Sequence, residues 1–306
     1  MDLSVVIVSW NCRAELLDCL QSVVRHPCSG AQEIIVVDNA SSDGTVEAVR
    51  LRFPAVRVFE TGANIGFARA ANLGLKAAEG EYILFLNPDT LVPAGSLDAA
   101  LHALRSRPAV GILGIGLLNT NGFPEPSCGR FLSLAALAWS NIWRLVEGTP
   151  TGARAGGGCL WNGTAVKEVD WLIGAFLLCR WAVLAEVGGF DEEYFLYVED
   201  MDLCYRVRQR GYTVLYFPEV TVIHHGNRSG VRKWAERREG EIVRAEIIFL
   251  RKHQGRLAVL GFRLLAGSLF FTKGLQFWFR ARGQTDPCGI EARRYWHMTK
   301  VCLGWE

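Results

Sequence analysis

The chain has 306 residues, 50% apolar and 21% charged, enough to bury a substantial core. This excludes a disordered chain, a collagenous one and a disulfide-stapled miniprotein. Lys+Arg total 33 against Asp+Glu 31, a formal charge of +2, which argues against a dedicated nucleic-acid binder with a basic stripe. The nine cysteines are odd in number, scattered and without a C-x-x-C pair, so they read as reduced thiols in a reducing compartment and not as a zinc site.

The first half alternates strand and helix patterns. Residues 3–9 form a continuous β-branched run, as a buried parallel strand should. Residues 13–25 place Leu16, Leu17, Leu20, Val23 and Val24 at helical spacing. A second strand is predicted at 33–38, a helix from Gly44 to about Phe53 stopped by Pro54, and a third strand at 56–60. The Ala-rich stretch 65–79 reads as a helix and 81–86 as a fourth strand. Repeated β-α-β units predict a parallel sheet with helices on both faces, and ligands in such sheets sit at the carboxyl ends of the strands. The polar residues Asn11, Asp38, Asn39 and Asp89 fall at those ends.

From 122 to 163 the pattern dissolves into Pro, Gly and Thr, with 148–158 reading as a loop. Residues 171–179 read as a buried strand, 201–210 as a short helix, 212–217 as a strand and 231–254 as a charged helix. The N-terminus enters a strand without a basic region and an apolar stretch, so no signal peptide is expected. No run of 18 uncharged apolar residues occurs, so a spanning helix is not expected either. Two segments are nonetheless oily. Residues 257–279, interrupted by Arg263 and Lys273 and basic at both flanks, fit a membrane-surface helix as well as a core or dimer helix; residues 131–146 fit a packed helix better.

Four clusters carry chemistry. Asp38, in V-D-N-A-S-S-D-G-T, is an acidic strand-end residue able to accept hydrogen bonds from a base or ribose, although such residues also cap helices. In N-I-G-F-A-R-A-A-N, Asn64 and Gly66 open a helix, and the glycine permits close approach of a ligand or backbone. Asn87-Pro88-Asp89 holds a carboxylate rigidly past a strand end, which suits Mg²⁺ or Mn²⁺ with phosphate and water completing the shell, or a plain Asx-Pro turn. Between Asp191 and Asp202 acidic residues crowd among aromatics, an arrangement that can raise a carboxylate pKa and create a general base, or cap the following helix. Downstream, His224 and His225 end a strand, where a metal ligand or a structural histidine is expected.

Together and in this order, V-V-I-V-S-W-N (5–11), V-V-D-N-A-S-S-D-G-T (36–45), N-I-G-F-A-R-A-A-N (64–72), L-N-P-D-T (86–90), G-G-F-D-E-E-Y-F-L-Y-V-E-D-M-D-L-C (188–204) and H-H-G-N-R-S (224–229) resemble the family 2 glycosyltransferases, particularly their rhamnosyltransferase-like branch. The resemblance implies an α/β GT-A fold, Rossmann-like, with a mostly parallel central sheet and a helical C-terminal extension. It divides the chain into a nucleotide-sugar-binding half (1–120), an acceptor and catalytic half (121–230) and the extension (231–306), membrane-surface or dimer-forming.

The implied activity is inverting transfer of a sugar from a nucleotide-diphosphate donor, with Mg²⁺ or Mn²⁺ as cofactor. The best-fitting donor is dTDP-rhamnose and the acceptor a saccharide or lipid-linked saccharide, in cell-surface polysaccharide synthesis. A UDP-hexose donor is the nearest alternative, and an inactive nucleotide-sugar-binding paralogue the next. A nucleotidyltransferase is disfavoured because no Gly-rich, basic phosphate loop lies near the N-terminus. The resemblance assigns Asp200 as catalytic base and Asp89 and His224 as metal ligands, with His225 as the fallback. It assigns substrate contacts to Ser9, Asn11, Asp38, Asn64, Gly66, Asn87, Asp191 and Glu199. Asn87 stands where the family's D-x-D metal motif has its first carboxylate, which puts that metal contact in doubt. The implied location is cytoplasmic, peripheral on the inner membrane face, with homo-oligomerisation open and no nucleic-acid partner.

Overall fold

A computed structural model describes residues 1–134, 163–226, 238–281 and 287–305. The expected loop at 148–158, the oily segment beyond residue 134 and the start of the charged helix at 231–237 lie outside the described residues. The chain divides into two compact units. The first holds Met1–Arg130, Leu160–Phe195 and Glu199–Ser229 and contains every described strand; the second holds the remaining residues.

The N-terminal elements follow the hydrophobic periodicity closely. Strand β1 is Leu3–Ser9, helix α1 Arg13–Arg25, β2 Gln32–Asp38, α2 Thr45–Arg52, β3 Arg57–Glu60, α3 Phe67–Ala77 and β4 Tyr82–Leu86. Helix α1 buries Leu16, Leu17, Cys19, Leu20 and Val23 on one stripe, and α2 starts at Gly44, held at φ 74°. Each such apolar side chain contributes about 1.5–3 kcal/mol on burial. The remaining elements of this unit are β5 Thr90–Leu91, α4 Ser96–Arg105, β6 Val110–Leu118, β7 Pro124–Glu125, β8 Cys128–Gly129, β9 Lys167–Glu168, β10 Trp171–Leu172, β11 Phe176–Arg180, α5 Trp181–Val187, α6 Glu199–Gln209 and β12 Thr213–His224.

The main sheet runs β3-β2-β1-β4-β11-β6-β12-β5, with β7 on β6 and β9 on β12; β8 and β10 form a separate pair. The long pairings β3-β2, β2-β1, β1-β4 and β6-β12 are parallel, as the repeated β-α-β pattern predicts. Strand β11 departs from it by inserting antiparallel between β4 and β6. The apolar run 171–179 is therefore not one strand. It breaks at Ile173–Ala175, where the Gly174 N–H is taken by a side chain instead of a ladder partner. Strand β12 extends beyond the expected 212–217 as far as His224, with a bulge between Phe217 and Thr221.

Residues of one sheet face, Leu3, Val5 and Ile7 of β1 with Val36 of β2, pack against α1, α2 and α4 in one core. Val6 and Val37 face the other way and close on Gly74 of α3. The second unit, described by itself, contains α7 Arg238–His253, α8 Arg256–Arg280 and α9 Pro287–Leu303, with α8 and α9 packed on each other.

Candidate active site

The carboxyl ends of β1 and β2 lie in register, Ser9 opposite Asp38. Asp38 is 2% exposed; its Oδ2 accepts the Ser41 N–H at 2.8 Å, while its Oδ1 is buried with no hydrogen-bond partner. A buried carboxylate oxygen is costly to leave unsatisfied, so Oδ1 marks a place for a donor group. Asn11, in the left-handed region at φ 52°, accepts the Ser42 N–H at 2.7 Å on its Oδ1, and its own N–H donates to Ser41 Oγ at 2.7 Å. Asn11 thus holds the loop after β2. Ser9 is fully buried with its hydroxyl 3.4 Å from Cys12 Sγ, so it shapes this floor from within.

The next loop is held by amide side chains. Asn39 Nδ2 donates to Asn64 Oδ1 at 2.9 Å, and Asn39 Oδ1 accepts the Ile65 N–H at 2.9 Å. Asn64 Oδ1 also accepts the Gly66 N–H. Gly66 sits at φ 87°, and a Cβ there would lie 2.6 Å from the Phe195 carbonyl oxygen. The same carbonyl accepts the Phe67 N–H at 2.7 Å. The acidic segment is docked a second time by Asn72, whose amide pairs with both the N–H and the C=O of Phe190. Asp191 turns its Oδ1 onto the Glu193 N–H.

Asp89 lies between β4 and β5, buried. The β12–β5 pairing sets His224 opposite Thr90, and the His225 N–H donates to the Asp89 carbonyl at 2.9 Å. His224 Nε2 pairs with Asp89 Oδ1 at 3.4 Å, and Nδ1 lies 3.0 Å from Glu125 Oε2. Burial alone would depress this imidazole's pKa, but Asp89 and Glu125 outweigh it and hold it above the ordinary value. His225 is more exposed, and its ring nitrogen Nε2 makes no hydrogen bond. A buried carboxylate oxygen and an imidazole nitrogen 3.4 Å apart are donors that suit a divalent cation drawing its other ligands from phosphate and water. Among the described residues no group of three or more His, Cys, Asp or Glu is arranged to hold a metal alone.

Asp200 stands in the first turn of α6, buried. Its Oδ2 accepts the Gly174 N–H at 3.0 Å and its Oδ1 the Met201 N–H at 2.8 Å. One residue beyond Gly174, the Ala175 carbonyl accepts the Asn87 N–H at 3.0 Å. This backbone link fixes the Asp200 anchor to the turn that presents Asp89. Tyr197 and Val198, immediately before Glu199, both have left-handed backbones, at φ 69° and 65°. For a β-branched valine this is strained, by about 1–3 kcal/mol. Asp202 plays a different part: fully buried, it receives Arg206 Nε at 2.6 Å and the Tyr194 hydroxyl at 3.2 Å, and so pins the helix.

The sequence matches the family described as Glycosyl transferase family group 2 over residues 82–285, and Glycosyl transferase family 2 over residues 4–131. It is 31% identical over 246 residues to the N-acetylglucosaminyl-diphospho-decaprenol L-rhamnosyltransferase of Mycobacterium tuberculosis, covering 72% of this chain and 76% of that one. The chain belongs to the family 2 glycosyltransferases. The transferase is also 29% identical over 180 residues to rhamnosyltransferase WbbL of Escherichia coli K12, covering 55% of this chain and 65% of that one. Among solved structures, a mannosyltransferase from Pyrobaculum calidifontis, in complex with GDP-Man and Mn²⁺, superimposes with a TM-score of 0.58 at 20% identity, covering 98% of this chain and 84% of that one. GalNAc-T7, with UDP, GalNAc and Mn²⁺, gives 0.59 at 16% identity, covering 97% of this chain and 55% of that one. The fold is the GT-A fold that the sequence motifs imply.

Four supporting residues of the transferase received no role from the sequence. Asn39 and Asn72 lie inside quoted motifs, but what they hold is fixed by loops brought close in space. Gly174 sits in an apolar run that reads as strand. Glu125 falls where the sequence pattern dissolves, 99 residues from its histidine, and no sequence signal marks it. The eight described cysteines form no disulfide. Burial raises Cys12, beside Ser9, to about 11, so its thiol stays protonated and is no nucleophile.

Proposed function

We propose that this chain is a metal-dependent, inverting rhamnosyltransferase. It moves rhamnose from dTDP-rhamnose to a saccharide or lipid-linked saccharide acceptor in cell-surface polysaccharide synthesis, working in the cytoplasm. The observation that carries this reading is the convergence of Asp89 with His224 at one sheet end, tied through Asn87 and Ala175 to the anchored Asp200. The named activities of the rhamnosyltransferase relatives support the sugar and the lipid-linked acceptor.

In this reading Asp38 Oδ1 accepts a hydrogen bond from the base or ribose, and Asn11, Asn64 and Gly66 keep the surrounding loops in place. Asp89 and His224 hold Mg²⁺ or Mn²⁺, as the Mn²⁺ named in the two structural relatives supports. The cation, when bound, neutralises charge on the diphosphate leaving group. Asn87 contributes its backbone N–H to the Ala175 link, so the missing first carboxylate of the motif is not needed to build the turn. Asp191 and Glu199, before α6 and in its first turn, are the further substrate contacts of this reading. Asp200 takes the proton of the acceptor hydroxyl as that oxygen attacks the anomeric carbon from the face opposite the leaving group. The two backbone N–H bonds hold its carboxylate in position for that transfer.

A donor screen tests this. Purified protein with Mg²⁺ or Mn²⁺ is melted with dTDP-rhamnose, UDP-glucose, UDP-galactose, UDP-N-acetylglucosamine or GDP-mannose. A ligand that binds the folded state raises apparent stability, by about 2.7 kcal/mol at a hundredfold excess over Kd. The expected result is a metal-dependent rise with dTDP-rhamnose that Asp89→Ala removes. A larger rise with a UDP-sugar moves the assignment to a UDP-hexose transferase, and no rise with any donor rejects the reading.

A further inference from the structure

We propose that the outer face of α8 docks on the surface of an anionic lipid bilayer, with the helix lying in the interface. The proposal rests on the helix's own residues and does not depend on the transferase reading. Its inner stripe, Ala258, Phe262, Ala266 and Phe270, is buried at i, i+4 spacing. Phe277 stacks on Tyr295 of α9 with ring centres 5.6 Å apart, and Gly274 meets the Trp296 indole. The opposite stripe remains in solvent. Leu257, Leu260, Leu264, Phe271 and Trp278 follow one another at spacings that keep them on one side of the helix. Leu257 is 84% exposed, Leu264 65% and Trp278 58%. A contiguous apolar stripe on a 25-residue helix is unusual for a surface that faces only water.

Charge decides between the partners that could cover it. From Arg251 to Arg282 every charged residue is basic, in a chain whose totals are otherwise nearly balanced. Arg256 and Arg280 stand exposed at the two ends of the stripe. Two copies pressed together through this face would bring like charges close, since α8 itself carries no Asp or Glu to offset them. A bilayer rich in anionic lipid supplies both the apolar layer and the negative charge. Trp278, exposed at one end, is a residue suited to the headgroup level. The helix is long and apolar enough to cross a membrane by length and composition. However, its inner face is committed to α9, the Cys302 thiol donates to the Arg263 carbonyl, and Arg263 and Lys273 interrupt the run. Lying along the interface buries the outer stripe without breaking that packing.

The test is flotation of the full chain with vesicles of phosphatidylglycerol and phosphatidylcholine, or of phosphatidylcholine alone, at low and high salt. The expected result is binding to the anionic vesicles, weakened by salt, with little on the neutral ones. Leu264→Glu with Trp278→Glu should lower binding about tenfold or more, since both place a charge where apolar contact is needed. Arg256→Gln with Arg280→Gln, two exposed end residues that leave the stripe intact, should lower binding to anionic vesicles and flatten its salt dependence. This second variant keeps the test open if the first fails to fold. Donor-dependent thermal stabilisation, read on the same samples, separates loss of lipid binding from loss of the sugar-nucleotide site. The proposal is overturned by absence of binding to either vesicle. It is also overturned by a solution dimer that the Leu264→Glu, Trp278→Glu variant dissociates, or by membrane-bound protein that only detergent releases.

Discussion

Glu125 and His224 meet across the sheet rim, Oε2 3.0 Å from Nδ1, although 99 residues separate them in the chain. The contact fixes which imidazole nitrogen turns towards Asp89. Carboxylates that orient ligating histidines typically alter metal affinity 10–100-fold when removed. Glu125→Gln should therefore weaken Mn²⁺ binding by roughly that factor, in calorimetry with nucleoside diphosphate present. Unchanged affinity would show that His224 is oriented by the sheet alone.

Asp200→Asn should lower turnover by about 10²–10⁴-fold, the usual worth of general-base assistance. The amide oxygen can still accept one of the two backbone N–H bonds, so folding is expected to survive. Donor affinity should stay within about twofold, because the proposed role lies on the acceptor proton. Parallel losses of donor binding and turnover would make Asp200 a structural or binding residue. Steady-state kinetics with a donor-binding titration separates the two.

Gly66→Ala probes the loop that joins the 64–72 motif to the acidic segment. The new Cβ would lie 2.6 Å from the Phe195 carbonyl oxygen, on a backbone at φ 87°. Both effects are unfavourable, and together they should cost about 1–3 kcal/mol or more in folding free energy. Urea denaturation measures this directly. A neutral result would mean that the Phe195 turn moves aside at no cost.

Glu33 gives a pH signature. Burial alone would raise its pKa, but the Ser4 hydroxyl, the Glu79 N–H and Arg57 outweigh it and hold the carboxyl below its ordinary value of 4.5. A depressed folded pKa adds stability above the unfolded pKa, and that stability is lost as pH falls through the folded pKa. Glu33→Gln should thus lower Tm at neutral pH. The gap from wild type should close as pH drops below about 4.5. A gap independent of pH would assign the loss to packing instead of charge.

The alternation of apolar runs fixed the first four strands and three helices, because there each element buries one recognisable stripe or run against its sequence neighbours. The ends of those strands also drew attention to Asp38 and Asp89, although a carboxylate there serves a cap or turn as readily as a ligand, and only the order of the motifs singled the two out. Periodicity could not disclose that β11 enters antiparallel, because an apolar strand buried on both faces looks the same in either direction. Nor could it foretell that Gly174 breaks the 171–179 run to deliver its N–H to Asp200. The acidic segment offered several carboxylates of one chemical type. The resemblance singled out Asp200, and packing shows how it differs from Asp202: Asp202 is paired to Arg206 and Tyr194, whereas Asp200 is held by two backbone N–H groups. In the same way the sequence supplied two adjacent histidines, and strand register buried His224 beside Asp89 and Glu125. The sequence by itself determined the family and the fold, since these follow from the order of its motifs and the local pattern of its apolar runs. The tertiary structure alone decided which of several equivalent side chains is buried, paired and aimed, since those depend on contacts between residues far apart in the chain.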